Sequence, residues 1–425
     1  NNLISIGKTG HCILRIDMFK FLKKLGPGLI TGAADDDPSG IATYALAGAQ
    51  FGYQMLWAAL LTFPLMTAVQ EACARIGLVT KTGLAGVIKR QYPRPILWFV
   101  GSLLFIANVF NIGADLSGMA AAIKLFVPAN ELASGFFLSL LLIILTIRLP
   151  YRKIAAIFKW LTLALFAYVV TFFIINNDWA ALLRGTFLPN FSEFTNNSYL
   201  LMLVAVLGTT ISPYLFFWQA SEEAEEQNIA HRIVTKNELK SETKDTLSGM
   251  FFSNMVTFFI IATTAGTLFK AGITNINTAS EAALALRPLA GDGAFLLFAI
   301  GIIGTGMLAI PILAGSAAYV VSETIGFTEG LNKPFSKAKA FYFVIIAATV
   351  LGFFLNLLGI SPIKYLFYSA VLNGLISPVM IAMVLLIANS QKIMGVYKNG
   401  KISNILIVVT LVLMTVAGVS IFVIH

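Results

Sequence analysis

Charge is scarce in this chain: Asp, Glu, Lys and Arg make up 12% of its 425 residues, against roughly 25% in an ordinary soluble domain. Histidine and cysteine are scarcer still, with His11, His231, His425, Cys12 and Cys73 as the full complement. No Cys/His constellation exists to hold zinc, copper or an iron cluster. Two cysteines on or near one side of a membrane make no disulfide framework. There is also no Ser/His, Cys/His or His-Glu-x-x-His arrangement, which excludes the usual nucleophilic and zinc hydrolases. The sequence therefore predicts neither an enzyme nor a resident cofactor.

Hydrophobic residues fill 58% of the positions. A membrane span needs about 20 mostly apolar residues, and eleven segments meet that test: 25–50, 54–77, 96–123, 133–148, 154–176, 199–226, 247–269, 294–325, 336–357, 361–388 and 403–424. The connections are short and polar, and no stretch remains for a separate soluble domain. The first segment holds Asp35, Asp36 and Asp37 and is too long for a signal peptide, so it reads as retained structure. The chain begins at Asn1 rather than Met, and an upstream start is expected.

A net charge of +9 suggests nucleic acid until the charges are placed on the spans. With the N-terminus in the cytoplasm, 24 of the 29 basic residues fall on the cytoplasmic side, and only Lys124, Arg184, Lys270, Arg287 and Lys364 fall opposite. The positive-inside rule thus predicts a multi-pass protein of the cell membrane with a cytoplasmic N-terminus and an extracellular C-terminus. Its partners are then the lipid bilayer and a small solute, not nucleic acid.

Two spans are interrupted. The first carries Asp35-Asp36-Asp37-Pro38-Ser39-Gly40, the sixth Gly208-Thr209-Thr210-Ile211-Ser212-Pro213. Each proline removes a backbone donor and clashes with the preceding turn, and within hydrocarbon such a break survives only where it is buried in protein or lines a polar cavity. Pro38 and Pro213 stand 175 residues apart, with five spans beginning at each. Five helices per repeat force the second copy to be inverted, and matching broken helices point to a transporter's midplane site. The division expected is an N-terminal segment 1–24, a first repeat 25–176, a connection 177–198, a second repeat 199–388, and a connection with the eleventh helix, 389–425.

Asp37 before Pro38 is also a good helix N-cap and first-turn pair. Capping needs one aspartate, however, and each aspartate at a helix centre costs about 2.5–3.5 kcal/mol to insert. A bound cation would offset that cost. The donors at the breaks are Asp35, Asp36, Asp37, Ser39, Thr209, Thr210, Ser212 and exposed carbonyls, among them that of Gly40. All are oxygens, the ligands of hard and partly hydrated ions such as Mg²⁺.

Other residues carry two readings each. Asp115 in the third span is a pathway residue or a helix-to-helix hydrogen bond. Asn373 in the tenth span lines the path or joins helices. Glu222, Glu223, Glu225 and Glu226 lie about 15 Å beyond the second break at 1.5 Å per residue, as a cation-attracting vestibule or a solvated helix end.

These residues resemble the NRAMP family of divalent-metal transporters. Gly26-Pro27-Gly28 through Asp37-Pro38-Ser39-Gly40 is similar to that family's first broken helix, with its Asp-Pro-Gly-Asn motif. Leu207 through Tyr214 is similar to its second, which usually carries Met-Pro-His, and Asn111-Ile112-Gly113-Ala114-Asp115-Leu116 resembles its third span. The resemblance implies an all-α membrane protein with a LeuT-type inverted repeat, and it implies Asp37 as a metal ligand. It also has gaps: the family's Asn is Gly40 here, its Met is Ser212, its His is Tyr214, and a Glu associated with proton movement is Gly118. The ninth span lacks an internal Arg. That pattern resembles the magnesium-transporting branch, in which proton coupling is lost. The expectation is passive, alternating-access uptake of Mg²⁺, with a proton-coupled Mn²⁺ or Fe²⁺ carrier as runner-up. An amino-acid carrier is disfavoured because three aspartates would repel a substrate carboxylate, and a metal-sensing receptor lacks its signalling domain.

Overall fold

The computed structural model describes residues 27–230 and 234–423. Cys12, the three histidines and the segment 1–24 lie outside the described residues, while Cys73 is a buried free thiol. Among the described residues every regular element is helical. The main helices are α1 (Pro27–Asp35), α2 (Pro38–Phe51), α3 (Leu56–Thr80), α4 (Leu84–Gln91), α5 (Arg94–Lys124), α6 (Glu131–Arg148), α7 (Tyr151–Thr162), α8 (Phe166–Ile174), α9 (Trp179–Phe187), α10 (Asn197–Thr210), α11 (Pro213–Ala230), α12 (Lys236–Thr264), α13 (Ala294–Ile325), α14 (Lys339–Leu355), α15 (Pro362–Asn389) and α16 (Lys401–Val423).

Ten helical runs among the described residues are long and apolar enough to cross a membrane, and the first, Pro38–Thr80, has 43 residues. At 1.5 Å per residue that run would be about 65 Å long, roughly twice a bilayer's hydrocarbon core. It is two crossings joined by the 3₁₀ turn Gly52–Met55, where Gly52 takes φ +56°. A side chain there would be strained. Counted this way the eleven expected spans are all present among the described residues, and each overlaps a helix at its expected place.

Where the boundaries differ, caps explain the difference. The seventh span was expected from 247, but α12 begins at Lys236, behind a capping box in which the Thr235 hydroxyl accepts from Glu238 N–H and Glu238 accepts from Thr235 N–H. Its first turns carry Lys236, Lys240 and Lys244, so α12 emerges from the apolar zone as a helix. The segments read only as connections also hold helices, α4 and α9.

The two interrupted spans pack against each other in the centre: α2 touches α10 and α1 touches α11. Around them α12 packs on α1, α2 and α3, while α5 packs on α13, α14 and α15. Small residues permit the closest crossings. A Cβ added to Gly208 of α10 would collide with the Ala370 carbonyl and the Gly374 backbone of α15, and one on Gly374 would collide with Val204. The backbones thus interlock at paired glycines. Gly208→Val is expected to destabilise the protein by about 1–3 kcal/mol or more through overpacking, seen as a lower midpoint of thermal unfolding in detergent. An unchanged midpoint would mean that the crossing tolerates separation.

Candidate metal centre

The first break is built by Asp37. Its backbone is extended (φ −70°, ψ 170°), it caps α2, and Pro38 follows at the first helical position. Asp37 Oδ1 accepts from Ser39 Oγ at 2.6 Å and from the Gly40 N–H at 2.7 Å. The capping reading is therefore correct for that oxygen. The other one faces a different way: Oδ2 accepts from Asn111 Nδ2 of α5 at 3.1 Å and lies 3.5 Å from the Tyr214 hydroxyl of α11.

The second break is held by hydroxyls. Ser212 Oγ donates to the Thr209 carbonyl at 2.6 Å and to Gly208 O at 3.3 Å, closing the end of α10. Ser377 Oγ of α15 donates to Ile211 O at 3.0 Å. Tyr214 ties the two breaks together, because its hydroxyl donates to the Ala34 carbonyl at 3.0 Å. An unsatisfied backbone group in hydrocarbon costs several kcal/mol. Here side chains of α11 and α15 take up carbonyls that the breaks release.

Gly40 is where the halves meet. A Cβ on it would stand 3.1 Å from Thr209 Oγ1, and Thr209 Oγ1 is buried with no hydrogen-bond partner in the protein. Asp37, Thr209 and Tyr214 are each 1% exposed, so the centre is closed to solvent. Its free acceptors are oxygens, and among the described residues no group of three or more His, Cys, Asp or Glu side chains is placed to hold a metal. A ligand set here would consist of one carboxylate with hydroxyl and carbonyl oxygens, a composition that suits a hard cation keeping part of its water.

The aspartate triplet does not form a single carboxylate cluster. Asp35 Oδ2 and Asp36 Oδ1 both accept from Ser253 Oγ of α12, at 2.6 and 3.3 Å, while Asp37 faces α5 and α11. The break changes the chain's direction between residues 35 and 38, turning consecutive side chains to different neighbours. Gly40 offers Asp37 its N–H. Thr210, like Thr209, is buried, and its hydroxyl lies 3.1 Å from that of Tyr44. Asn373 is buried on α15 beside the second break, with Nδ2 unpartnered.

Among the glutamates of α11, burial corrects the solvated-end reading for Glu222 and Glu223, while Glu225 lines a cavity. Glu222 and Glu223 are 3% and 2% exposed, and Glu223 accepts from Gln219 Nε2 at 3.0 Å. Glu225 accepts from the Tyr319 hydroxyl and from the N–H groups of Leu331 and Asn332, at 3.1 and 2.9 Å for the amides. It ties α11 to α13 and to the loop 326–338. Glu226 is half-buried. Glu222 and Glu223 are buried because α3, α4 and α13 pack round α11 beyond the break.

Beside Glu225 lies a cavity of about 420 Å³ lined by Lys81, Ser221, Glu323 and Glu329 among others. Burial, together with the charges of Glu323 and Glu225, pushes the Glu329 carboxyl up to about 8, against the pull of Lys333 and Lys89. The folded protein holds a proton there that the unfolded chain loses above its ordinary value of 4.5. Stability from this group is therefore full below that value and falls as pH rises toward about 8. Glu329→Gln should raise the thermal midpoint at pH 9 and leave it nearly unchanged at pH 5; equal effects at both would contradict this.

Sequence reading missed three contributors: Asn111, Ser253 and Tyr365. Asn111 stands four residues before Asp115, the spacing that puts both on one helix face. Ser253 carries no such signal. Tyr365, across from α5, has a buried, unpartnered hydroxyl.

A family model described as Natural resistance-associated macrophage protein-like, Nramp, matches residues 28–424. The divalent metal cation transporter MntH of Caldanaerobacter subterraneus subsp. tengcongensis is 26% identical over 409 residues, covering 95% of this chain and 93% of that protein. The crystal structure of a manganese transporter of Eremococcus coleocola, bound to an aromatic bis-isothiourea substituted compound, superposes with a TM-score of 0.76 at 17% identity, over 95% of this chain and 87% of that one. A variant of the same transporter gives 0.71 over 98% and 88%. These likenesses establish the fold, a LeuT-type inverted repeat with broken first and sixth helices.

Proposed function

Because the chain belongs to the Nramp family of divalent-metal transporters, we propose that it carries hard divalent cations, Mg²⁺ foremost, into the cell by alternating access and without protons. The observation that supports this most is the donor set at the meeting of the two breaks. Asp37 brings the charge, while Thr209 Oγ1 is a buried oxygen with no protein partner. Ser212 stands where the family pattern has a thioether. Asp37 is the main ligand in this reading, Thr209 and a carbonyl at the second break complete the protein's share, and water fills the rest. Asp35, Asp36 and Ser39 shape the break and its field. The repeats run 25–176 and 199–388, joined by 177–198, with 389–425 outside them. The N-terminus is cytoplasmic in the plasma membrane, as the distribution of lysine and arginine supports.

Manganese is the second reading, favoured by the names of the relatives and by one contact: Met119 packs its sulfur at Gly306 beside Pro38. Thioether draws softer ions. Uptake of Mg²⁺ against Mn²⁺ into liposomes, with and without a pH gradient, separates the two. Mg²⁺ entry independent of the gradient supports the first reading, and exclusive Mn²⁺ entry that follows the gradient supports the second.

Selectivity should move with Ser212. In Ser212→Met a soft ligand is restored and the cap on α10 is lost, at a cost of about 1 kcal/mol. The expected result is a gain of about tenfold in Mn²⁺ or Cd²⁺ binding relative to Mg²⁺, equivalent to about 1.4 kcal/mol. An unchanged ranking by calorimetry would remove position 212 from the ion's surroundings.

A further inference from the structure

One helical turn along α5 from the Asp37 contact lies a second set of oxygens that the centre above does not use. Asp115 is fully buried, and neither of its carboxylate oxygens makes a hydrogen bond within the protein. The Ser39 amide points toward it without reaching hydrogen-bonding geometry. Four residues away on the same face, Asn111 spends its Nδ2 on Asp37 and leaves Oδ1 unpartnered. Across the interface on α15, the hydroxyl of Tyr365 is also buried and unpartnered. It packs against Gly113, two residues before Asp115, and senses the Asp115 charge. The phenol ring is fixed by an edge-on contact with Phe110 at 4.8 Å.

We propose that Asp115, Asn111 Oδ1 and Tyr365 Oη form a second station for the transported cation, about 6 Å along α5 from the Asp37 level at 1.5 Å per residue. The inference rests on the reading of the chain as a hard-cation carrier. A buried carboxylate needs a counter-charge or strong donors, and the charge acting on Asp115 from nearby is that of Asp37, of the same sign. A partly hydrated divalent ion supplies what the protein does not. It would meet carboxylate, amide and phenol oxygens, a donor set of the same class as that at the breaks. Asn111 links the two levels, with its Nδ2 on Asp37 and its Oδ1 left without a protein partner. An ion passing between Asp115 and Asp37 therefore leaves one carboxylate only as it reaches the next, and neither charge faces apolar surroundings alone.

The test is Mg²⁺ uptake by the full chain in liposomes at fixed membrane potential, over a range of Mg²⁺ concentrations at pH 6.5 and 8. If Asp115 is a station on the way to Asp37, Asp115→Asn raises the apparent KM at least tenfold and leaves maximal flux within threefold at both pH values. Tyr365→Phe, which keeps the ring and removes one oxygen, raises KM two- to fivefold and carries the proposal should Asp115→Asn fail to fold. Wild-type KM in both variants overturns it. So does a fall in maximal flux at unchanged KM with an altered pH dependence, which would assign Asp115 to a proton. The parent reading fails separately, if Asp37→Ala still transports.

Discussion

Asp37→Ala is expected to reduce Mg²⁺ flux in liposomes to that of protein-free vesicles, with Mg²⁺ binding lost by calorimetry. Asp37 does two jobs with its two oxygens. Oδ1 caps α2 through Ser39 and Gly40, and Oδ2 faces Asn111 and Tyr214. Losing the cap costs about 0.5–2 kcal/mol of stability. Removing one partner of a buried charge pair costs about 3–5 kcal/mol, or at least a hundredfold in affinity at about 1.4 kcal/mol per decade. Asp37→Asn separates the two jobs, since asparagine caps helices as well as aspartate does but brings no charge. Asp37→Asn should melt like the wild type and still fail to transport. Wild-type binding in either variant would remove Asp37 as the ligand.

The second large effect concerns the driving force. At an inside-negative potential of 100 mV a divalent cation gains about 4.6 kcal/mol, at about 2.3 per charge. At about 1.4 kcal/mol per decade, that supports accumulation of more than a thousandfold. A carrier of this kind needs no proton, and this chain's residues fit that mode. Tyr214, where the family pattern has His, commits its hydroxyl to the Ala34 carbonyl. Gly118, where the pattern has Glu, faces Leu366: a Cβ there would come within 2.9 Å of its Cδ1. With potential clamped by potassium and valinomycin and a pH-sensitive dye inside, Mg²⁺ added outside should enter to high ratio without acidifying the lumen. Acidification that scales with Mg²⁺ and vanishes in Asp37→Ala would establish proton coupling instead.

Much of this architecture is legible in the chain because apolar length and proline position are local properties. Proline alone was not the signal. Pro64, Pro311 and Pro378 sit inside helices that continue through them, whereas Pro38 and Pro213 begin new helices. The difference lies in the residues just before: Asp37 and Ser212 satisfy backbone groups that the break exposes. What the sequence cannot convey is which neighbour each side chain meets. Asp36 and Asp37 are adjacent in the chain, yet one meets Ser253 and the other Asn111. The glutamates of α11 read as a vestibule or a solvated helix end because nothing local says that α13 and the loop 326–338 will pack against them. Asn111 sat within a quoted motif but lacked a role until its amide was seen to reach Asp37.

The phenol of Tyr214 links the carbonyl end of α1 to the start of α11, and that link bears on the membrane's electrical insulation. With the half-helices joined at their tips and Asn111 bonded to Asp37, a water path open to both sides at this level would have to break both bonds. In the proposed carrier, charge would then cross only together with a bound ion, and the cell's voltage would not be short-circuited between crossings.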